Sequence, residues 1–257
     1  MAATTPHFET RFATTSEEVE AAQRLRYDVF VTELGGDGPL VDHDRRLERD
    51  IYDPSFRHLL LFDRARAEDD QVVGVYRIMT PDGAQAAGQF YCDDEYDLAP
   101  LRTSGRKLLE LGRSCVHPDY RGGSALYELW SALADFVLEA EIEILFGVAS
   151  FHGTDPAALA QPLSFLHHRH LAPEALRVTA KPSGFQRMDL LPREAVDRKT
   201  ALLQMPSLIK AYLRLGGRVG LGAYIDQDFN TTDICLIMDT EAMNARQRAL
   251  YIKESAE

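Results

Sequence analysis

With 257 residues, 45% of them apolar and 9% aromatic, the chain can bury a sizeable core without covalent or metal staples. Three cysteines (Cys92, Cys115, Cys235) at no CxxC spacing point away from a disulfide framework and a zinc site, and toward a reducing, cytoplasmic setting. A net charge of −12 argues against general nucleic-acid binding.

Residues 1–15 are polar and Thr-rich, and the pattern predicts a strand only around His7 to Ala13. A helix follows over about 17 to 34. Glu17 and Glu18 favour its first turn, Ala22, Leu25, Val29 and Phe30 form an apolar stripe, and Gly35-Gly36 ends it. Ser16 with Val19 three residues on gives no capping box. The next stretch, Asp37 to Asp53, places Asp42, Asp44, Glu48, Asp50 and Asp53 among Arg45, Arg46 and Arg49. So long a loop is more often functional than idle, although each acid taken singly is an ordinary surface residue.

His58 to Asp63 and Gln71 to Met79 read as an antiparallel hairpin across the charged turn Arg64 to Asp70. Arg77 interrupts the second strand, and either lies at an exposed edge or points into a polar site. Residues 80–104 are loop-like, with Asp93-Asp94-Glu95 as a second acidic cluster.

The stretch Lys107 to Gly123 carries the strongest signal. An apolar run stops at Pro118, turns through Arg121-Gly122-Gly123, and restarts from Ser124 to Glu139 with Ala125, Leu126, Leu129, Leu133, Phe136 and Val137 at helical spacing. Strand, tight turn and helix N-terminus together offer backbone N–H groups to an anion. Glu110 and Arg113 lie three residues apart on the strand, where charge is costly unless it meets a cleft or a partner.

Ile142 to Ala149 is another strand, and Asp155-Pro156 opens a helix to about His167. Phe185 to Leu190 reads as a strand, Leu202 to Leu215 as a helix stopped by Gly216-Gly217, Asp233 to Met238 as a strand, and Thr240 to Lys253 as a final helix. An antiparallel hairpin beside a strand–helix–strand unit gives a mixed sheet flanked by helices, of class α/β or α+β. The sequence suggests a core over residues 1–200 and a packed C-terminal extension over 201–257 that serves as a lid or as a membrane- or carrier-facing element. No apolar run reaches the roughly 18–20 residues of a membrane span, and Met1 to Pro6 lacks a secretion-signal pattern. Charge is uneven: ten Lys or Arg face four acids from His167 to Arg218, giving +6 there and −18 elsewhere. That segment is either a solvated surface or a dock for an acidic protein or an anionic membrane face.

Arg26 and Phe30 on the first helix, Asp50 and Asp53 in the acidic loop, Arg77, and Glu110 with Arg113 resemble the sparse pattern of acyl-homoserine-lactone synthases. The fuller run, from Glu110 to Arg121 and through Gly222 to Asp233, is similar to the bacterial ornithine lipid N-acyltransferase family over residues 8–240. That resemblance implies a GNAT-like acyltransferase fold and transfer of a 3-hydroxyacyl group from acyl carrier protein to the α-amine of ornithine. The product would be a lyso-ornithine lipid. It implies Glu110 and Arg113 as catalytic residues and Arg26, Phe30, Asp50, Asp53 and Arg77 as substrate-binding ones. Arg121, Gly122, Gly123 and Ser124 would hold the phosphopantetheine phosphate. The partners implied are acidic acyl carrier protein and ornithine, with room for peripheral contact at the inner membrane face. No cofactor of the enzyme's own is expected, since the donor brings its phosphopantetheine.

The usual acetyltransferase loop alternates glycines to admit a pyrophosphate, whereas here Ser124, Ala125 and Leu126 follow Gly122-Gly123, which suits a single phosphate better. Aminolysis of a thioester needs a neutral amine and an acceptor for its proton. Glu110 can supply the acceptor or can form a structural pair with Arg113. Acids from Asp42 to Asp53 suit the ornithine side-chain cation, and Arg77 or Arg113 suits its carboxylate. A covalent route through Cys115 has only His117 as a nearby base, and His167, His168 and His170 lack a metal-binding spacing, so no metal is expected. Two other functions compete. A lactone synthase would have to lactonise S-adenosylmethionine, and the block beyond residue 200 argues against so small an enzyme; a non-catalytic carrier-binding module sits poorly with intact Glu110 and Arg113.

Overall fold

The computed structural model describes residues 5–243, and these form two compact units. The first takes residues 5–87 with Leu111–Ala140, the second Gly88–Glu110 with residues 141–243.

In the first unit the strand Phe8–Phe12 pairs antiparallel with Arg57–Asp63, which pairs antiparallel with Val72–Met79. The strand periodicity of two sends Leu60, Phe62 and Val75 to one face, where Ala22 and Leu25 of the first helix and Val29 just beyond it pack with Cys115. Leu61 and Gly74 look the other way, toward Leu129 of the helix Ala125–Glu139. Gly74 permits that approach, because a Cβ there would stand 2.9 Å from Leu129 Cδ1. Helices therefore cover both faces of this sheet.

The first helix, Ser16–Arg26, is capped by Thr15, whose hydroxyl accepts from Glu18 N while the Glu18 carboxylate accepts from Thr14 N. The cap lies one residue ahead of the position expected from Ser16. The helix continues as a π-turn over Tyr27–Glu33 and stops at Gly35, whose φ of +73° suits a residue with no Cβ. Residues 80–87 are not loop: Pro81–Ala87 is a helix, because proline at a first helical position needs no N–H partner.

The second unit is built on Ile144–His152, paired antiparallel with Thr231–Asp239 over nine residues. Leu108–Glu110 pairs with Ile144–Phe146 in parallel, as the strand–helix–strand pattern requires. Ala223–Asp226 and Phe185–Gln186 extend the sheet, and Arg218–Val219 pairs with Leu236–Ile237. The rest of the 80–104 stretch is also ordered, with a 3-10 turn at Tyr91–Asp94, a short strand Tyr96–Asp97 and a helix Ala99–Thr103. The helix expected from Asp155 begins at Ala160 and runs to His170, since Asp155 caps a separate turn by accepting from Ala157 N. The expected strand Phe185 to Leu190 shrinks to two residues. Pro206 splits the expected 202–215 helix into Arg198–Gln204 and Ser207–Arg214, because it lacks the N–H that would bridge them. The final helix expected over 240–253 lies outside the described residues from 244 onward. Among the described residues no helix is long and apolar enough to cross a membrane.

Candidate active site

Arg26 sits in the last turn of the first helix, three residues after Gln23 on the buried face. Both meet the acidic loop. Glu48 N donates to Gln23 O at 3.1 Å, Arg26 Nε donates to Glu48 Oε2 at 2.5 Å, and Gln23 Nε2 donates to Asp53 Oδ2 at 3.0 Å. Asp53 Oδ1 accepts from both Arg26 Nη1 and Arg77 Nη1 at 2.6 Å. Arg77 also donates to Asp50 Oδ1 at 2.8 Å, and its guanidinium lies over the Phe56 ring, 4.2 Å from the centroid. Arg113 Nε donates to Glu48 Oε1 at 3.1 Å, and Arg113 Nη2 stands 3.5 Å from Asp50 Oδ2. The Phe30 ring on the π-turn is 5.9 Å from the Arg113 guanidinium carbon.

The first unit thus gathers Arg26, Phe30, Asp50, Asp53, Arg77 and Arg113 in one place, with Glu48 among them. Three arginines face three carboxylates. The cluster is neutral, and its members differ in access. Arg26, Arg77 and Glu48 side chains are 0% exposed, whereas Arg113 keeps 13% and Asp50 17%, so these two form the open edge. Arg77 is therefore an interior residue rather than an edge one. Burial would raise the pKa of Asp53, but the attraction of Arg26 and Arg77 outweighs it and holds the carboxyl well below the usual range. Glu48 and Asp50 are lowered by the same balance, burial opposing and the arginines prevailing. His58 is pushed down to about 4, by burial first and by Arg26 and Arg77 next, against the pull of Asp53, so it stands neutral.

The turn after the Leu108–Val116 strand is also within the first unit. Tyr120 donates to Asp63 Oδ2 at 2.6 Å, which anchors the turn to the hairpin. Arg121 clasps Glu33 with two bonds of 2.7 Å and donates from Nε to Val116 O. Gly122 has φ +79°, and Ser124 leads into the helix Ala125–Glu139 without a side-chain cap. Arg121, paired with Glu33, thus stands beside the start of that helix. Cys115 lies in the apolar core, and burial pushes its thiol up to about 12, which leaves no thiolate for a covalent route.

In the second unit Glu110 is 1% exposed, and its two oxygens accept from Tyr91 N at 2.8 Å and Cys92 N at 2.6 Å. Those bonds fix the carboxylate's orientation. His168 Nε2 bonds Leu191 O, and His170 packs on Phe165, so these histidines do structural work. Carboxylate oxygens of Glu95, Asp226 and Asp233 lie within 4.8 Å of one another.

The sequence counted Glu48 among the loop acids suited to the ornithine side-chain cation but did not single it out, and it gave no functional part to Gln23, His58, Glu33 or the Tyr120–Asp63 anchor. For Glu48 a signal was available: Glu48, Asp50 and Asp53 match in number the arginines at 26, 77 and 113.

Residues 25–131 match the acetyltransferase (GNAT) domain family. The chain is 61% identical over 255 residues, 98% of each chain, to a protein of Rhodobacter capsulatus named L-ornithine N(alpha)-acyltransferase. A protein of Brucella abortus with the same name is 42% identical, over 96% of this chain and 89% of that one. Among solved structures, the acyl-homoserine-lactone synthase LasI superposes with a TM-score of 0.52 at 15% identity, covering 96% of this chain and 95% of that one. BjaI, a coenzyme-A-dependent acyl-homoserine-lactone synthase, gives 0.51 at 15% identity, with 96% and 88% covered. Both likenesses are of fold, and the fold is GNAT-like.

Proposed function

Because the chain belongs to the L-ornithine N(alpha)-acyltransferase family, we propose that it moves a 3-hydroxyacyl group from acyl carrier protein to the α-amine of L-ornithine. The product is lyso-ornithine lipid, and the reaction is the first step of ornithine lipid synthesis. The observation that carries the acceptor reading is the open edge of the ionic cluster. Arg113 and Asp50, side by side and partly exposed, offer one positive and one negative group to a molecule that carries both. Arg113 takes the carboxylate, and Asp50 takes an ammonium.

The α-amine of an amino acid is more acidic than the side-chain amine, which resembles lysine at about 10.4, so the neutral nucleophile is the α-amine. It attacks the thioester carbonyl, the carbon–sulfur bond breaks, and the amine's proton passes directly or through water to Glu110 and then to the leaving thiolate. What supports this choice is that Glu110 is a carboxylate on the same strand, Leu108–Val116, as Arg113. The turn Arg121 to Ser124 receives the phosphopantetheine phosphate, with Arg121 exchanging Glu33 for it. The donor supplies the phosphopantetheine, so the enzyme needs no cofactor of its own. Acyl carrier protein is acidic, and the basic segment from His167 to Arg218, which runs past residue 200, is its complement. The enzyme works in the cytoplasm, with peripheral contact at the inner membrane face where its lipid product goes.

The test is donor choice. With ornithine as acceptor and matched long 3-hydroxyacyl groups, the carrier-protein donor should be used about 100-fold better than the coenzyme A thioester, about 2.7 kcal/mol in transition-state terms. Equal use of the two donors would make this a coenzyme-A-dependent acyltransferase instead.

A further inference from the structure

Glu48 is the most enclosed acid of the cluster, yet it touches the cluster's most open cation. One oxygen accepts from Arg26 Nε at 2.5 Å and the other from Arg113 Nε at 3.1 Å, so a single carboxylate ties the first helix to the Leu108–Val116 strand. Its own backbone is pinned, with Glu48 N bonded to Gln23 O on the same helix. Arg113 has φ +48°, in the left-handed region that side chains seldom adopt, and follows Gly112 directly. A residue held there is over-determined by its surroundings. Clamping Nε also decides which edge of the planar guanidinium faces outward, and two-pronged recognition of a carboxylate depends on that edge.

We propose that Glu48 is a positioning residue that aims the Arg113 guanidinium at the α-carboxylate of the acceptor. It acts through Arg113, whose partly exposed guanidinium stands between Glu48 and the open edge of the cluster. This rests on the reading of ornithine as acceptor and deepens it. Charge and length both matter. Glutamine keeps one acceptor oxygen but presents an amide to the second arginine. Aspartate keeps the charge but is one methylene too short to reach both Nε atoms.

The experiment compares ornithine with ornithinamide, which lacks the carboxylate charge, for wild type, Glu48→Gln, Glu48→Asp and Arg113→Lys. In wild type, kcat/KM should favour ornithine by about 10- to 100-fold, the range for hydrogen bonds to a charged group. Glu48→Gln and Glu48→Asp should pull that ratio toward the one found for Arg113→Lys, mainly through the KM of ornithine, and leave ornithinamide nearly as in wild type. A merely structural role would lower both substrates together and keep the ratio. Glu48→Asp retains the charge that balances Arg26, so it carries the test if Glu48→Gln does not fold. A folded Glu48 variant with the wild-type ratio overturns the proposal. Wild type that makes no distinction between the two acceptors overturns the Arg113 assignment and this one with it, while absence of any ornithine acylation overturns the acceptor reading itself.

Discussion

Replacing Asp53 with asparagine removes one charge and almost no volume from the centre of the ionic cluster. Asp53 Oδ1 serves Arg26 and Arg77, and Oδ2 serves Gln23, so an asparagine oxygen can still face both arginines and Gln23 can flip to meet the new amide. The hydrogen bonds survive, and what is lost is the negative charge between two guanidinium groups whose side chains are 0% exposed. Removing one partner of a buried pair costs about 3–5 kcal/mol, and the retained bonds place this change near the lower figure. In urea the unfolding midpoint should fall while the slope stays constant, with a melting temperature lower by roughly 6–12 °C for a chain of this size. The pH dependence has a definite sign. The folded-state pKa values of Asp53, Glu48 and Asp50 are depressed, so their stabilisation is present above the unfolded carboxylate range near pH 4 and drains away as pH falls below it. Asp53→Asn should therefore lose most stability at neutral pH and little at strongly acid pH. A loss under about 1 kcal/mol at neutral pH, or an unchanged acid limb, would refute the account of the cluster as a charge-balanced interior.

Glu110→Gln should cut turnover by about 10²- to 10⁴-fold. It should also cost about 1–3 kcal/mol of stability, because the Tyr91 and Cys92 N–H groups both need an acceptor and an amide offers one; activity within a few-fold of wild type, on a protein with normal melting, would remove Glu110 from the proton-accepting role. Charge reversal at the exposed Arg214 and Arg218 should raise the KM for the carrier-protein donor more than for ornithine, and association should weaken steeply with salt. Equal effects on both substrates would remove the basic segment from docking.

Much of this arrangement was legible because it is written in local patterns. The hairpin from His58 to Met79, the Lys107 to Glu139 strand–turn–helix and the parallel pairing that follows depend on apolar periodicity and on Gly and Pro punctuation. Arg26, Asp50, Asp53, Arg77 and Arg113 were recognisable by the resemblance they share, and the first unit gathers them. Their partners were not legible. The bonds from Glu48 to Arg113 and from Glu33 to Arg121 span 65 and 88 residues, and no local rule pairs one arginine with one acid across such distances. Element boundaries failed where a single residue acts against a run of helix formers. Pro206 breaks a helix that propensity alone would continue, and Asp155 caps a turn that merely precedes one.

The same distinction explains why Arg77 could be read two ways. A charged residue in a strand looks like an edge when considered with its neighbours in sequence, because isolated charge is expelled from interiors. It becomes an interior residue only when its counter-charges arrive from elsewhere. Asp53 and Asp50, 24 and 27 residues upstream, supply them, and Phe56 supplies a ring beneath the guanidinium. Burial of one arginine thus requires the acidic loop to be in place, and the loop's depressed carboxylates require the arginine in turn. Such mutual dependence ties loop, helix and strand into one cooperative element, whose rim charges on Arg113 and Asp50 are oriented by the buried ones behind them.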